Sequence, residues 1–256
     1  MSQNNSKQDK LLQLRSKIDQ IDDSLIDLIN QRIAVVKEVG VYKESINDKF
    51  FVRSAREADM IKDLIRKSNP AIPQALIINI WRKMITCANV LEQNLQIALF
   101  NPDEIIDYQY LIKEYYGDFI AVKSFKNVQE VVDEIESGRS QIAIFALPEK
   151  QEINWWSNLM NQDQLKIYAL IPLVENSGKK LVAAAIKAPE KSSEDFTLVV
   201  INSSEKLDEN IGKILQKDGD EYLVQIDGFF ELASEISSIY KNIKIIGHFA
   251  KPIKNL

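Results

Sequence analysis

Three cations in the first part of the chain, Arg15, Arg32 and Lys43, are the residues whose type and spacing first suggest chemistry. Eleven residues separate Arg32 from Lys43, and eleven steps of about 100° return a helix to nearly the same face, about 16 Å further along its axis. Two long cations then bracket one space, which suits a small anion. Arg15 shares the stripe of Lys43 at a distance of four heptads, but at about 1.5 Å per residue the two lie about 42 Å apart. One small ligand meets all three only if a second copy of the chain lends its Arg15 to the Arg32/Lys43 pocket. A plainer reading stands beside this one: an arginine in a helical seam snorkels or pairs with a carboxylate, and scattered Lys and Arg form a solvated face. Glu57 and Glu92 weigh toward a site, because each flanks the apolar face of a later helix and a buried cation cluster with carboxylates beside it needs a reason.

The elements that must position these residues follow from periodicity. Apolar residues fall at 11, 14, 18, 21, 25, 28, 35 and 39 and close at Tyr42, the 3,4 alternation of a long helix with a coiled-coil-like seam. Arg32 stands where that spacing calls for an apolar residue, and Gly40 weakens the far end slightly. Residues 46–52 carry no helical period and read as a connector. A second helix over 53–68 runs through Ile61, Leu64 and Ile65 and stops at Asn69-Pro70. A third starts near Pro73 and runs through Ile77, Trp81, Met84, Ala88, Leu91 and Leu95. Beyond Asn101-Pro102-Asp103 the period changes. Short β-like runs occupy 119–122, 141–145, 165–171, 181–185, 197–201, 222–226 and 243–246, with helical stretches at 128–137 and 230–240. The expected architecture is a three-helix domain over 1–100, a linker over 101–118 and an α/β or α+β domain divided near the polar stretch 207–219.

Composition agrees and excludes several classes. Of 256 residues 45% are hydrophobic and 27% charged, the balance of a globular chain of one or two domains. Residues 1–101 hold 15 Lys and Arg against 12 Asp and Glu, whereas residues 102–256 hold 17 against 25. The acidic second half argues against nucleic acid and against a dianionic substrate there. Only Gly40 of the eight glycines precedes residue 101, which fits an all-helical first half. A single cysteine, Cys87, rules out an internal disulfide framework, and a single histidine, His248, argues against zinc sites and histidine-based triads. No apolar run reaches the length of a membrane span and the N-terminus lacks an apolar leader region, so a cytoplasmic protein is expected.

The segments LLQLRSKIDQIDDSLIDLINQRIAVVKEVGVYK, AREADMIKDL and IWRKMITCANVLEQ resemble the all-α chorismate mutase family over residues 10–98. The resemblance implies a dimer with interdigitated first helices. Arg15 of one protomer would join Arg32 and Lys43 of the other on the substrate's carboxylates and ether oxygen, Glu57 would hold the C4 hydroxyl, and Glu92 would face the ether oxygen. Two positions depart from the family pattern. Arg53 stands where the family often has Asp, leaving a backbone contact with the hydroxyl, and Ala88 replaces a residue that is Ser in some members. The implied reaction, chorismate to prephenate in aromatic amino-acid biosynthesis, needs no nucleophile, metal or organic cofactor. An isochorismate-pyruvate lyase on the same scaffold and a non-enzymatic ligand-binding dimer are the alternatives.

The second half is similar to two further modules. Residues 124–149 resemble the first lobe of prephenate dehydratase, which gives a dehydratase-like lobe over 119–205, and 220–249 resemble the end of an ACT regulatory module, placed over 206–256. That module would bind an aromatic amino-acid effector. The dehydratase's Thr-Arg-Phe signature is replaced by Glu194-Asp195-Phe196, and the lobe is about 85 residues long where a cleft needs two lobes. A non-catalytic role is expected. Trp155 and Trp156 read as core or loop anchors, Cys87 as a small hydrophobe, and His248 as a hydrogen-bonded surface or boundary histidine.

Overall fold

The computed structural model describes residues 2–46, 52–148, 153–175, 178–188, 190–236 and 242–254. The chain divides into two units, Met1–Phe51 and Val52–Leu256. The first unit is one helix, α1 (Ser2–Ser45), longer at both ends than the apolar series alone predicts. It contains no proline, and Gly40 lies within it without ending it. The seam is exposed in the single chain: Ile18, Ile21, Leu28 and Val35 each keep 57–59% of their surface. Most of the expected connector 46–52 lies outside the described residues.

The second unit begins with α2 (Ser54–Lys67) and α3 (Gln74–Glu92). Ala55, Ala58 and Ile61 form the buried face of α2, and Ile77, Ile78, Ile85 and Ala88 that of α3. The sequence grouped these helices with α1. In the structure they belong to the same compact unit as the α/β domain. The third helix ends at Glu92, and Leu95 leads instead into a strand, β1 (Gln96–Phe100). Five apolar-rich residues after a helix continue its spacing, so periodicity alone does not separate the two. The expected linker carries α4 (Ile106–Tyr116), whose Tyr108, Ile112, Tyr115 and Tyr116 are buried.

Then follow β2 (Ala121–Phe125), α5 (Val128–Glu136), β3 (Ile142–Ala146), α6 (Trp156–Met160), β4 (Leu165–Ile171), β5 (Leu181–Ile186), β6 (Asp195–Asn202), β7 (Lys213–Asp218), β8 (Glu221–Asp227), α7 (Ala233–Ile236) and β9 (Ile243–Ala250). Residues 237–241, which complete the expected helix 230–240, lie outside the described residues. Among the described residues the nine strands form one sheet in the order β2-β1-β3-β5-β4-β9-β6-β8-β7. At one end β2, β1 and β3 are parallel, with α4 and α5 as crossovers. At the other, β9-β6-β8-β7 is antiparallel throughout and runs 4-1-3-2 in chain order, the arrangement of a split βαβ unit. A short 3₁₀ turn, Glu209–Ile211, stands where such a unit has its first crossover helix.

This topology moves the expected internal boundary. The first strand of the antiparallel group is β6, which starts at Asp195 rather than near 206, and the stretch 207–219 contains edge strand β7. The two ends of the sheet meet where Ile167 of β4 pairs with Gly247 of β9. A Cβ at Gly247 would come within 2.2 Å of the Ile167 carbonyl oxygen, so only glycine permits that approach.

Trp155 and Trp156 are fully buried. Trp155 stacks on Phe145 and donates from Nε1 to the Ala146 carbonyl at 2.7 Å. His248 is buried rather than superficial, with Nε2 2.7 Å from the Phe230 carbonyl and its ring stacked on Phe229. Pairing with β6 puts it on an interior strand, a placement its flanking residues did not reveal.

Candidate active site

All three cations lie on the one uninterrupted helix α1, so the spacing argument applies to them as drawn from helical geometry. Arg15 is exposed, while Arg32 and Lys43 are half-buried. Exposure of the apolar seam on the same helix means that α1 in a single chain leaves a long hydrophobic stripe in water, which is the condition a helical partner relieves.

The remaining candidates are held by α2 and α3. Glu57 sits in the first turn of α2 and is buried. Its Oε2 accepts from Arg82 Nη1 of α3 at 2.7 Å, and its Oε1 accepts from Asn89 Nδ2 at 3.4 Å and from the Arg53 backbone N–H at 3.3 Å. Arg53 and Glu57 are therefore brought together at the start of α2 through the Arg53 backbone. Ala88 is buried and Glu92 half-buried on the last turns of α3.

Arg82 and Asn89 are the polar residues that sequence reading passed over. A signal existed: Arg82 stands four residues after Ile78 and three before Ile85, a cation in the middle of a buried stripe, like Arg32 in the first helix. The guanidinium lies 4.1 Å from the centre of the Tyr115 ring of α4. Burial works against its charge, but Tyr115 and Glu57 outweigh that, and Arg82 sits above its ordinary pKa. Tyr115 is itself pushed up, chiefly by burial. A carboxylate so placed is fixed in orientation and keeps acceptor sites, four lone-pair positions being more than its three donors fill.

A second concavity lies in the α/β domain. A cavity of about 290 Å³, lined by Phe100, Pro102, Ile105, Tyr108, Ile153 and Trp155 among others, opens beyond the C-terminal ends of β1 and β3. That is the topological switch point of the parallel part of the sheet, where α/β folds receive ligands. The position of the dehydratase signature holds no cation: Asp195 is buried and accepts from the Ser192 N–H and hydroxyl at 2.8 and 2.6 Å. Among the described residues there is no cluster of metal-ligating side chains, and no helix is long and apolar enough to cross a membrane.

Fold and site together define a helical segment with a cationic first helix, followed by an α/β domain. Residues 14–93 match the family model of chorismate mutase type II. Over 165 residues the chain is 23% identical to the bifunctional chorismate mutase/prephenate dehydratase of Aquifex aeolicus, covering 62% of this chain and 45% of that one. It is 24% identical over 151 residues to the enzyme of the same description from Stutzerimonas stutzeri, covering 57% and 41%. The chain thus spans less than half the length of these relatives. Among solved structures, the prephenate dehydratase of Arthrobacter aurescens in complex with L-Phe aligns with a TM-score of 0.45 at 11% identity, over 62% of this chain and 90% of that one.

Proposed function

We propose that the protein is a cytoplasmic, homodimeric chorismate mutase whose α/β domain has no catalytic role. The observation that carries this reading is the single helix α1, which holds Arg15, Arg32 and Lys43 within the segment that matches the mutase family. Chorismate to prephenate is a [3,3] rearrangement in which one C–O bond breaks as a C–C bond forms, with no proton transferred. The protein needs only to hold a chair-like conformer and stabilise negative charge on the ether oxygen. Arg32, with Arg15 supplied across the dimer, pairs with the two carboxylates, and Lys43 donates to the ether oxygen. Glu57, oriented by Arg82, accepts from the C4 hydroxyl, supported by the Arg53 backbone, and Ala88 leaves room beside the substrate.

Glu92 has a distinct chemical requirement. An ether oxygen only accepts hydrogen bonds, and so does an ionised carboxylate, so Glu92 assists there only when protonated. Activity then rises toward acid pH, and Glu92→Gln, a permanent donor, flattens that profile; an unchanged profile would remove Glu92 from the ether oxygen. An aromatic amino acid is the effector proposed for the α/β domain, a reading with which the split βαβ arrangement of β6–β9 is compatible.

The deciding experiment incubates purified protein with chorismate, and separately with isochorismate, at pH 5 and pH 7.5 and identifies the product, with Arg32→Ala in parallel. Prephenate from the wild type alone supports the mutase and the cation together. Salicylate and pyruvate from isochorismate would make the chain a lyase instead, and intact substrates would leave a binding dimer.

A further inference from the structure

One end of α2 is tied to the α/β domain by contacts that the mutase reading does not use. Lys187, just past β5, donates from Nζ to the Val52 carbonyl at 2.7 Å, with only 9% of its side chain exposed. The carboxylate of Glu190 pairs with the Arg53 guanidinium and lies 4.0 Å from Lys187 Nζ. The Ser54 hydroxyl donates to the Tyr168 carbonyl of β4 at 2.7 Å. One turn further, Asp59 accepts from Ser193 twice, from the N–H at 3.0 Å and from the hydroxyl at 2.6 Å. Three residues of the β5–β6 connection thus grip the first turns of α2, the turns that carry Arg53 and Glu57.

We propose that Lys187, Glu190 and Ser193 of the β5–β6 connection are positioning residues for the mutase, fixing the start of α2 so that Glu57 and the Arg53 backbone stay in register with Arg82 and Asn89. The proposal rests on the mutase reading above. Its electrostatics are specific. Glu190 is the carboxylate shared by two cations at a helix N-terminus, where positive charge is already disfavoured by the helix dipole. Removing that one negative charge takes away the carboxylate that both cations share, so the clamp loosens by loss of charge pairing. The β5–β6 connection thereby joins the sheet to the turns of α2 that carry Arg53 and Glu57, beside the direct contact of Ser54 with β4.

The test compares the full chain with Glu190→Gln, Ser193→Ala and their combination, and with Glu190→Asp as the charge-conserving control. Amide hydrogen exchange across residues 54–60, measured without any ligand, should speed up in the double variant by about three- to tenfold, the worth of one or two partly exposed polar contacts. Turnover of chorismate should lose kcat/KM by a similar factor, with Glu190→Asp recovering part of it and Arg32→Ala affecting turnover without altering exchange in α2. Unchanged exchange overturns the clamp, and faster exchange with unchanged kcat/KM overturns its positioning role. A wild-type protein that leaves chorismate intact sinks the mutase reading instead, and the exchange measurement still decides whether the clamp exists.

Discussion

The two units of the chain treat their polar and apolar residues in opposite ways. In α1 the apolar seam from Leu11 to Tyr42 lies in the open, and the cations stand along the same helix. In the second unit a large apolar core is enclosed, and the chief ion pair, Glu57 with Arg82, is buried with only 9% and 4% of the side chains exposed. An exposed seam in an isolated helix cannot supply the burial that stabilises it, whereas the second unit covers its own core. The contrast is between a helix whose apolar stripe is exposed in the single chain and a unit that encloses a core of its own.

The largest expected effect tests whether the cations of α1 serve catalysis rather than folding. Lys43→Ala should lower kcat by about 10²–10³-fold, the usual cost of removing one preorganised donor to developing negative charge. Unfolding of the Val52–Leu256 unit, which does not contain Lys43, should stay where it is. A variant that lost stability in step with activity would make Lys43 a structural residue. Next comes the seam itself. Ile21→Asp puts a carboxylate on the seam where the proposed dimer would bring two helices together, at a cost on the order of several kcal/mol. Sedimentation should show a monomer while far-ultraviolet circular dichroism retains the strand signal of the second unit. A variant that remained dimeric would place the dimer contact elsewhere.

Sharpening the other side of the comparison takes the buried pair. Arg82→Met alone leaves Glu57 charged and short of its strongest donor, which should cost about 3–5 kcal/mol of unfolding free energy. Replacing both residues, Arg82→Met with Glu57→Leu, should restore most of that stability, because an apolar pair of similar volume needs no desolvation of charge. Activity should not return with it, since the carboxylate is gone. Denaturant midpoints on the three proteins give the cycle, and a double variant no more stable than Arg82→Met would show that the pair contributes more than mutual neutralisation.

The difference between the units also explains what was legible in the sequence. The 3,4 alternation of α1 is a long-range pattern and the stop at Asn69-Pro70 is local chemistry, so the first three helices and their order could be read directly, whereas α4 was not. What covers an apolar face is not written in its period: α2 shows a buried stripe of Ala55, Ala58 and Ile61, but nothing in those residues says that it belongs with the sheet domain and not with α1 alone. Strand β1 was hidden because QIALF keeps the spacing of the helix before it, and edge strand β7 because KILQKD, a polar strand, resembles a loop. Within the site, Glu57 was legible as a carboxylate beside an apolar face, whereas its partner Arg82 required knowing that residues 25 apart face each other across two helices. The contacts of 187–193 with α2 span more than 130 residues of sequence and leave no periodic trace.

The smallest expected effect belongs to His248, and its sign separates the second unit from α1. With Nε2 facing the Phe230 carbonyl, that nitrogen carries the proton and donates, and Nδ1 is buried without a hydrogen-bond partner among the described residues. Burial, the largest influence, holds His248 below its ordinary value of 6.5 in the folded protein. Below that value the unfolded chain takes up a proton that the folded protein refuses, so unfolding is favoured as pH falls through 6.5 toward the depressed folded value. Above pH 7 both states are neutral and the effect vanishes. Thermal unfolding between pH 7.5 and 5.5 should therefore lose stability in the wild type by more than in His248→Gln, while the dimer proposed for α1 should respond equally in both. Parallel pH profiles for the two proteins would mean that the ring accepts its proton without cost, and that the interior around β9 is more polar than its stacking on Phe229 implies.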